Sequence, residues 1–235
     1  MADGAKRSGR RYSQIKYRPP EGSTEILLVR HGESIPVDPA NPFDLVEGRG
    51  DPGLSELGRA QAEALARRLE HVPLDAVYVT PLRRTLETAE PLLALHGLEA
   101  SIEADLIELD MGEWEGGLYR QHITESDPRI AEVFTEQLWE LIPGAESNES
   151  LFRRTKAGIL RIAARHPGGR VVAVSHGISI SAVLAQATHS APFAFVGTDN
   201  ASISVVVVVG EQLIIRRFND SAHLESLEWD EPSDS

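Results

Sequence analysis

From Ile26 onward, short apolar runs alternate with longer segments whose apolar residues recur at helical spacing. That alternation predicts a mostly parallel sheet covered by helices, an α/β fold. Ile26 to Val29, Ala76 to Val79 and Val171 to Val174 are too short for helices and are bounded by polar residues, so they read as buried strands. A weaker strand is expected near Ala100 to Glu103, and two more, Ile203 to Val209 and Leu213 to Phe218, close the pattern. Ser55 reads as the N-cap of a helix to about Val72, with Ala62, Leu65, Leu69 and Val72 on one face. Thr80 is expected to cap a second helix whose first residue is Pro81 and which continues through Leu95. Helices over 149–165 and 178–187 flank the third strand. Between Met111 and Leu141, a Gly-rich bend leads into helical segments carrying Tyr119, Phe134 and Trp139, and Pro143-Gly144 ends them.

Composition narrows the class. A chain of 235 residues with 41% hydrophobic residues fits one domain with a sizeable core. No apolar run approaches the roughly 20 residues of a membrane span, the longest being Val205 to Val209, so a cytoplasmic protein without a membrane partner is expected. With no cysteine there is no disulfide, thiolate metal site or cysteine nucleophile. The net charge of −13 argues against a nucleic-acid partner. Charge is unevenly placed, because residues 1–22 carry Lys6, Arg7, Arg10, Arg11, Lys16 and Arg18 against two acids. The expected organisation is a flexible basic arm over 1–22, a folded domain over 23–224 and an acidic tail over 225–235.

The chemistry gathers at strand ends. The first strand runs into Arg30-His31-Gly32 and the 171–174 strand into Ser175-His176-Gly177. In a parallel sheet all carboxyl ends share one edge, where open α/β folds bind ligands, so both histidines sit on one rim. The strand Ala76 to Val79 delivers a helix start with Arg83 and Arg84 to the same rim, adding cations suited to an anion. A neutral imidazole is nucleophilic at physiological pH, and guanidiniums can hold phosphoryl oxygens while charge develops. Phosphoryl transfer through histidine is the chemistry these residues suggest. The leaving alkoxide needs a proton, and Glu108 in Leu106-Ile107-Glu108-Leu109-Asp110 is the candidate acid. A rival pattern, Gly48-Arg49-Gly50-Asp51-Pro52-Gly53, fits the dinucleotide fingerprint but follows no clear buried strand. The loops 32–50 and 113–142 hold Arg49, Arg120 and Arg129 against many acids, among them Asp38, Glu47, Glu115 and Glu132, together with Phe43, Trp114, Tyr119, Phe134 and Trp139. An acidic, aromatic rim that favours uncharged or apolar monophosphates is one expectation from that composition.

The chain resembles the histidine phosphatase superfamily, in the branch of cofactor-dependent phosphoglycerate mutases and small phosphatases. LLVRHGES (27–34), GDPGLSELGRAQA (50–62), TPLRRTLETA (80–89), LIELDMGEWEG (106–116), PGAES (143–147), VVAVSHG (171–177) and NASISV (200–205) carry the resemblance. It implies a phosphoglycerate mutase-like three-layer sandwich and hydrolysis of a small-molecule phosphomonoester through phosphohistidine, with no metal and no cofactor. It makes His31 the nucleophile, Arg30, Arg84 and His176 the phosphate pocket, and Glu108 the proton donor and later base. Arg84 is favoured over Arg83 because the family arginine directly precedes a small residue, here Thr85. Where the family usually has an asparagine this chain has Val37-Asp38, and Glu47-Gly48 replaces Gln-Gly. Ser34 and Arg49 are the nearest substitute polar contacts, and Gly177 is expected at the phosphate. The remaining alternatives are a mutase-type phosphotransferase and a non-catalytic phospho-ligand-binding protein; the oligomeric state, a homodimer included, stays open. Only 34 residues separate Glu108 from Pro143, shorter than in mutases of the branch, which favours a phosphatase.

Overall fold

The computed structural model describes residues 13–228; of the arm expected over 1–22 and the tail expected over 225–235, residues 1–12 and 229–235 lie outside the described residues. In chain order the elements are β1 (Thr24–Arg30), β2 (Leu45–Val46), β3 (Arg49–Gly50), α1 (Glu56–Leu69), β4 (Ala76–Val79), α2 (Arg83–His96) and β5 (Ala100–Ile102). They continue with α3 (Leu118–Thr124), α4 (Pro128–Glu136), α5 (Asn148–Arg165), β6 (Arg170–Ser175), α6 (Gly177–Thr188), β7 (Ile203–Val209), β8 (Gln212–Asp220) and α7 (Glu225–Glu228). Among the described residues, six strands form the main sheet in the order β5-β4-β6-β1-β7-β8. The first four are parallel; β7 and β8 are antiparallel additions.

Strand alternation sorts the core into layers. Leu27, Val29, Val77, Val79, Val172 and Val174 face α1 and α2, where Leu65, Leu69, Ala89 and Leu92 meet them. Ile26, Leu28, Tyr78, Val171 and Ala173 face the other way, onto Ile159 and Ile162 of α5 and Ile180 and Leu184 of α6. Period-2 sequence thus meets period-3.6 sequence on both faces, and each fully buried Leu or Ile contributes about 1.5–3 kcal/mol. A separate apolar cluster sits beyond the carboxyl edge of the sheet. There Trp114, Val133, Trp139 and Ile142, from the segment between β5 and α5, pack with Leu109, Leu151 and Ala182.

Two helix starts differ in how they are capped. The Ser55 hydroxyl accepts from the Gly58 amide at 3.0 Å and begins α1 as expected. The second helix, in contrast, starts at Arg83 rather than Pro81. The Thr80 hydroxyl is committed to His176 at 2.9 Å and to the Leu82 amide, and the Arg83 amide is satisfied by Asp51 Oδ1 at 2.7 Å from the neighbouring loop. Within the Gly-rich 48–53 stretch, Gly48 lies in the turn and Arg49–Gly50 form the second strand of the β2–β3 hairpin, not the strand-to-helix turn that a dinucleotide fingerprint requires. At the chain's end, Leu224 packs on Ala64 and Ala201 with Leu227 against it, so the boundary expected at residue 224 falls inside packed structure.

The loop after β1 rests directly on α1. A Cβ at Gly58 would lie 1.9 Å from the Glu33 carbonyl oxygen, and one at Gly32 would lie 2.6 Å from the Gly58 oxygen. Replacing Gly58 by Ala is therefore expected to cost about 3 kcal/mol through overpacking. Activity should fall as well, since the backbone that must move adjoins His31. Urea melts with parallel assays test this; unchanged stability would show that the approach is looser than described.

Candidate active site

His31 and His176 leave adjacent parallel strands, Arg30 pairing in register with Ser175, and their ring centroids stand 5.2 Å apart. The His31 ring is fixed by its own loop: Nδ1 lies 2.7 Å from the Gly32 carbonyl, which can only accept, so the proton resides on Nδ1 and Nε2 keeps its lone pair. The Gly32 amide donates to the Thr88 hydroxyl, which itself donates to the Arg84 carbonyl, tying this loop to α2. On the far side Asn200 Nδ2 donates to the His31 carbonyl at 2.9 Å. Burial, then Arg84 and Arg30, hold the His31 proton affinity well below the usual histidine value, so the ring is neutral at neutral pH. His176 is lowered in the same direction by burial, then by Arg84 and His31. Its Nε2 meets the Thr80 hydroxyl, while its Nδ1 is buried without a partner.

Three arginines converge on these rings with neutral partners. Arg30 donates to the Thr198 carbonyl, Arg84 to the Gly50 carbonyl at 2.8 Å, and Arg120 to the Ile35 carbonyl and the Ser34 hydroxyl. Burial lowers Arg30 and Arg120 and brings Arg84 down to about 10, so all three remain cationic at neutral pH. Arg30 Nε and Thr198 Oγ1 are, like His176 Nδ1, buried and unpartnered. Unsatisfied buried polar atoms cost about 1–3 kcal/mol each. Arg30 and Thr198 line one cavity and His176 stands beside His31, a grouping that suits an oxyanion with several acceptor oxygens.

The cavity has a volume of about 310 Å³, at the lower end of small-molecule sites. His31, Arg30, Arg84, Glu108 and Gly177 line it, as do Arg49, Arg120, Glu115 and a wall of Phe43, Trp114, Tyr119 and Trp139. Glu108 accepts from the amides of Leu109 and Ser179 at 2.9 and 3.2 Å, with Ile178 N at 3.4 Å, so its carboxyl sits on the first turn of α6. Its backbone carbonyl is clamped by Arg49 and Arg154. The Tyr119 hydroxyl, pushed up to about 12 by burial and by Glu108, stays protonated as a donor. Trp114 is held in place by His122, stacked at 4.3 Å, and by Arg129 at 4.9 Å.

The residues expected from sequence fall as follows. His31, His176, Arg30, Arg84, Glu108 and Gly177 come together, whereas Arg83 points outward to Glu87. Ser34 does not line the cavity; it stands behind Arg120 as a hydrogen-bond acceptor. The acidic rim is corrected: of the acids in loops 32–50 and 113–142, Glu115 alone lines the cavity, and Phe134 packs behind Trp139. Asp127, for example, caps α4 and pairs with Arg129. Sequence reasoning missed Thr80, Thr198, Arg154 and the cavity-facing roles of Arg120 and Glu115. The neighbouring motif stretches were visible, but nothing in them states which side chains turn inward.

Residues 26–221 match the histidine phosphatase superfamily (branch 1). The chain is 34% identical over 203 residues to phosphoserine phosphatase 1 of Hydrogenobacter thermophilus, covering 85% of this chain and 94% of that one. It is 33% identical over 209 residues to a metal-independent phosphoserine phosphatase of Arabidopsis thaliana, covering 87% and 84%. In fold it is similar to a phosphoglycerate mutase from Bacillus anthracis, with a TM-score of 0.74 at 21% identity over 88% of this chain and 98% of that one. With the sheet order, the paired strand-end histidines and these matches in agreement, the chain belongs to the histidine phosphatase superfamily and is a phosphomonoester hydrolase of that family.

Proposed function

We propose that this enzyme hydrolyses a small phosphomonoester carrying a carboxylate, through a phosphohistidine at His31. The observation that carries the first step is the His31 ring, its Nδ1 proton committed to Gly32 and its Nε2 free at the cavity. Nε2 attacks phosphorus, the ester P–O bond breaks, and Glu108 gives its proton to the departing oxygen. Glu108 then takes a proton from water as that water attacks phosphorus, the N–P bond breaks, and inorganic phosphate leaves. Arg30, Arg84 and His176 hold the phosphoryl oxygens throughout, assisted by the start of α6 at Gly177.

The carboxylate preference rests on Arg120. A phosphate dianion balances Arg30 and Arg84, and Arg49 already spans two carbonyls and stands within 3.8 Å of Asp110 and Glu146. Arg120, over the Phe43 ring at 5.8 Å and bonded to neutral acceptors, offers its charge at the cavity to a second anionic group. The two relatives named as phosphoserine phosphatases support this reading. Phosphoserine and phosphoglycerate should be turned over more efficiently than phosphoethanolamine or phenyl phosphate. Arg120→Met should raise KM for the carboxylated substrates about 10- to 100-fold, as expected for a lost charged hydrogen bond, with a far smaller change for p-nitrophenyl phosphate. An equal change on both would remove the carboxylate assignment. In this proposal the catalytic unit is the domain from residue 23 to 224 extended by α7, the basic arm lies outside it, and the enzyme works in the cytoplasm without nucleic-acid or membrane partners. Sedimentation would decide between a monomer and a homodimer.

A further inference from the structure

Glu115 lines the cavity, yet both of its oxygens are already used. Oε2 accepts from the Gly50 amide at 2.9 Å and Oε1 from the Met111 amide at 2.8 Å. Each oxygen is tied to a backbone donor, one on its own loop and one on β3. What it holds is informative. The Gly50 carbonyl is the acceptor for Arg84 Nη1 at 2.8 Å, so one glycine carries Glu115 on its amide and Arg84 on its carbonyl.

We propose that Glu115 is a positioning residue for Arg84, acting through Gly50 to set the angle of the phosphate-binding guanidinium. The inference rests on the reading of Arg84 as a phosphate ligand. Two further observations carry it. The β2–β3 hairpin has two residues per strand, far too few to fix its own position. Gly50 also lies flat against Gly116: a Cβ at Gly50 would approach the Gly116 Cα to 3.1 Å, so β3 is seated on the loop that bears Glu115. The chain of contacts runs from the 111–117 loop, across the hairpin, to α2. Without Glu115 the Gly50 peptide is released, and Arg84, which leaves α2 with a flexible stem, loses the acceptor that orients it.

A double-mutant cycle on the full chain tests this, with orthovanadate affinity read from tryptophan fluorescence and kcat/KM measured on p-nitrophenyl phosphate. Glu115→Gln places an amide NH2 against one of the two backbone donors and should weaken vanadate binding about 10- to 30-fold. Arg84→Ala should weaken it about 100-fold or more. The double variant should match Arg84→Ala within about twofold, because Glu115 has nothing left to position. Additive losses, or wild-type vanadate affinity in Glu115→Gln, would overturn the proposal. Wild-type affinity in Arg84→Ala alone would instead remove the phosphate assignment of Arg84, and the proposal with it. Should Glu115→Gln melt near the assay temperature, Glu115→Asp, which can reach only one of the two amides, carries the same cycle.

Discussion

Replacing His31 by alanine is expected to lower kcat/KM by on the order of 10⁴-fold or more, since the variant lacks the atom that accepts the phosphoryl group. The wild-type enzyme, quenched rapidly during turnover of a labelled substrate, should carry acid-labile, base-stable phosphate, and His31→Ala should carry none. The pH profile follows from the same ring. Only the neutral imidazole attacks, and burial beside Arg84 and Arg30 lowers its proton affinity well below the ordinary 6.5. Falling pH therefore removes the nucleophile only well below that value, and no loss of kcat/KM centred near 6.5 should trace to His31. Phosphate trapped on serine or aspartate, or turnover surviving in His31→Ala, would refute the assignment.

The second large effect belongs to Glu108 and depends on the leaving group. An alkoxide cannot depart unprotonated, whereas p-nitrophenolate can. Glu108→Gln should cost about 100-fold or more on phosphoserine or another alkyl phosphate, within the usual range for acid–base catalysis, and only a few-fold on p-nitrophenyl phosphate. The glutamine is nearly isosteric, and its amide oxygen can keep the Ser179 and Leu109 bonds, which end on one carboxyl oxygen, while its NH2 falls against the Ile178 amide. A structural loss from that source would fall equally on both substrates, so the ratio between substrates is the diagnostic quantity.

The sheet and its rim were legible because strand ends in a parallel sheet obey topology. Once Ile26 to Val29 and Val171 to Val174 read as buried strands, the histidines that follow had to share an edge, and the two strands are indeed neighbours. Ser55 was legible for a local reason, a hydroxyl three residues before an unpaired amide. Thr80 looked the same locally, and its hydroxyl went to His176 instead, a contact 96 positions away that no local rule contains. The 113–142 segment resisted for a related reason. Loop composition carries no direction: around the cluster of Trp114, Trp139 and Phe193 most of the acids face solvent, while Glu115 and Arg120 line the cavity. Glu115 illustrates the limit: the motif GEWEG is plain in the sequence, but the amides it binds belong to two different loops.

The apolar cluster beyond the sheet edge separates two kinds of inheritance. The two histidines, Arg30 and Arg84 stand on or beside β1, β6 and the starts of α2 and α6, elements that pack into the two large layers of the core. Much of the wall that meets the rest of the substrate, namely Trp114, Tyr119, Arg120 and Trp139, hangs from a third cluster packed largely around its own aromatics. Drift in that cluster remodels the cavity without disturbing the strands that carry the histidines. A lineage built this way can change its diet while keeping its chemistry, which is how relatives of one fold come to be named for different phosphate esters.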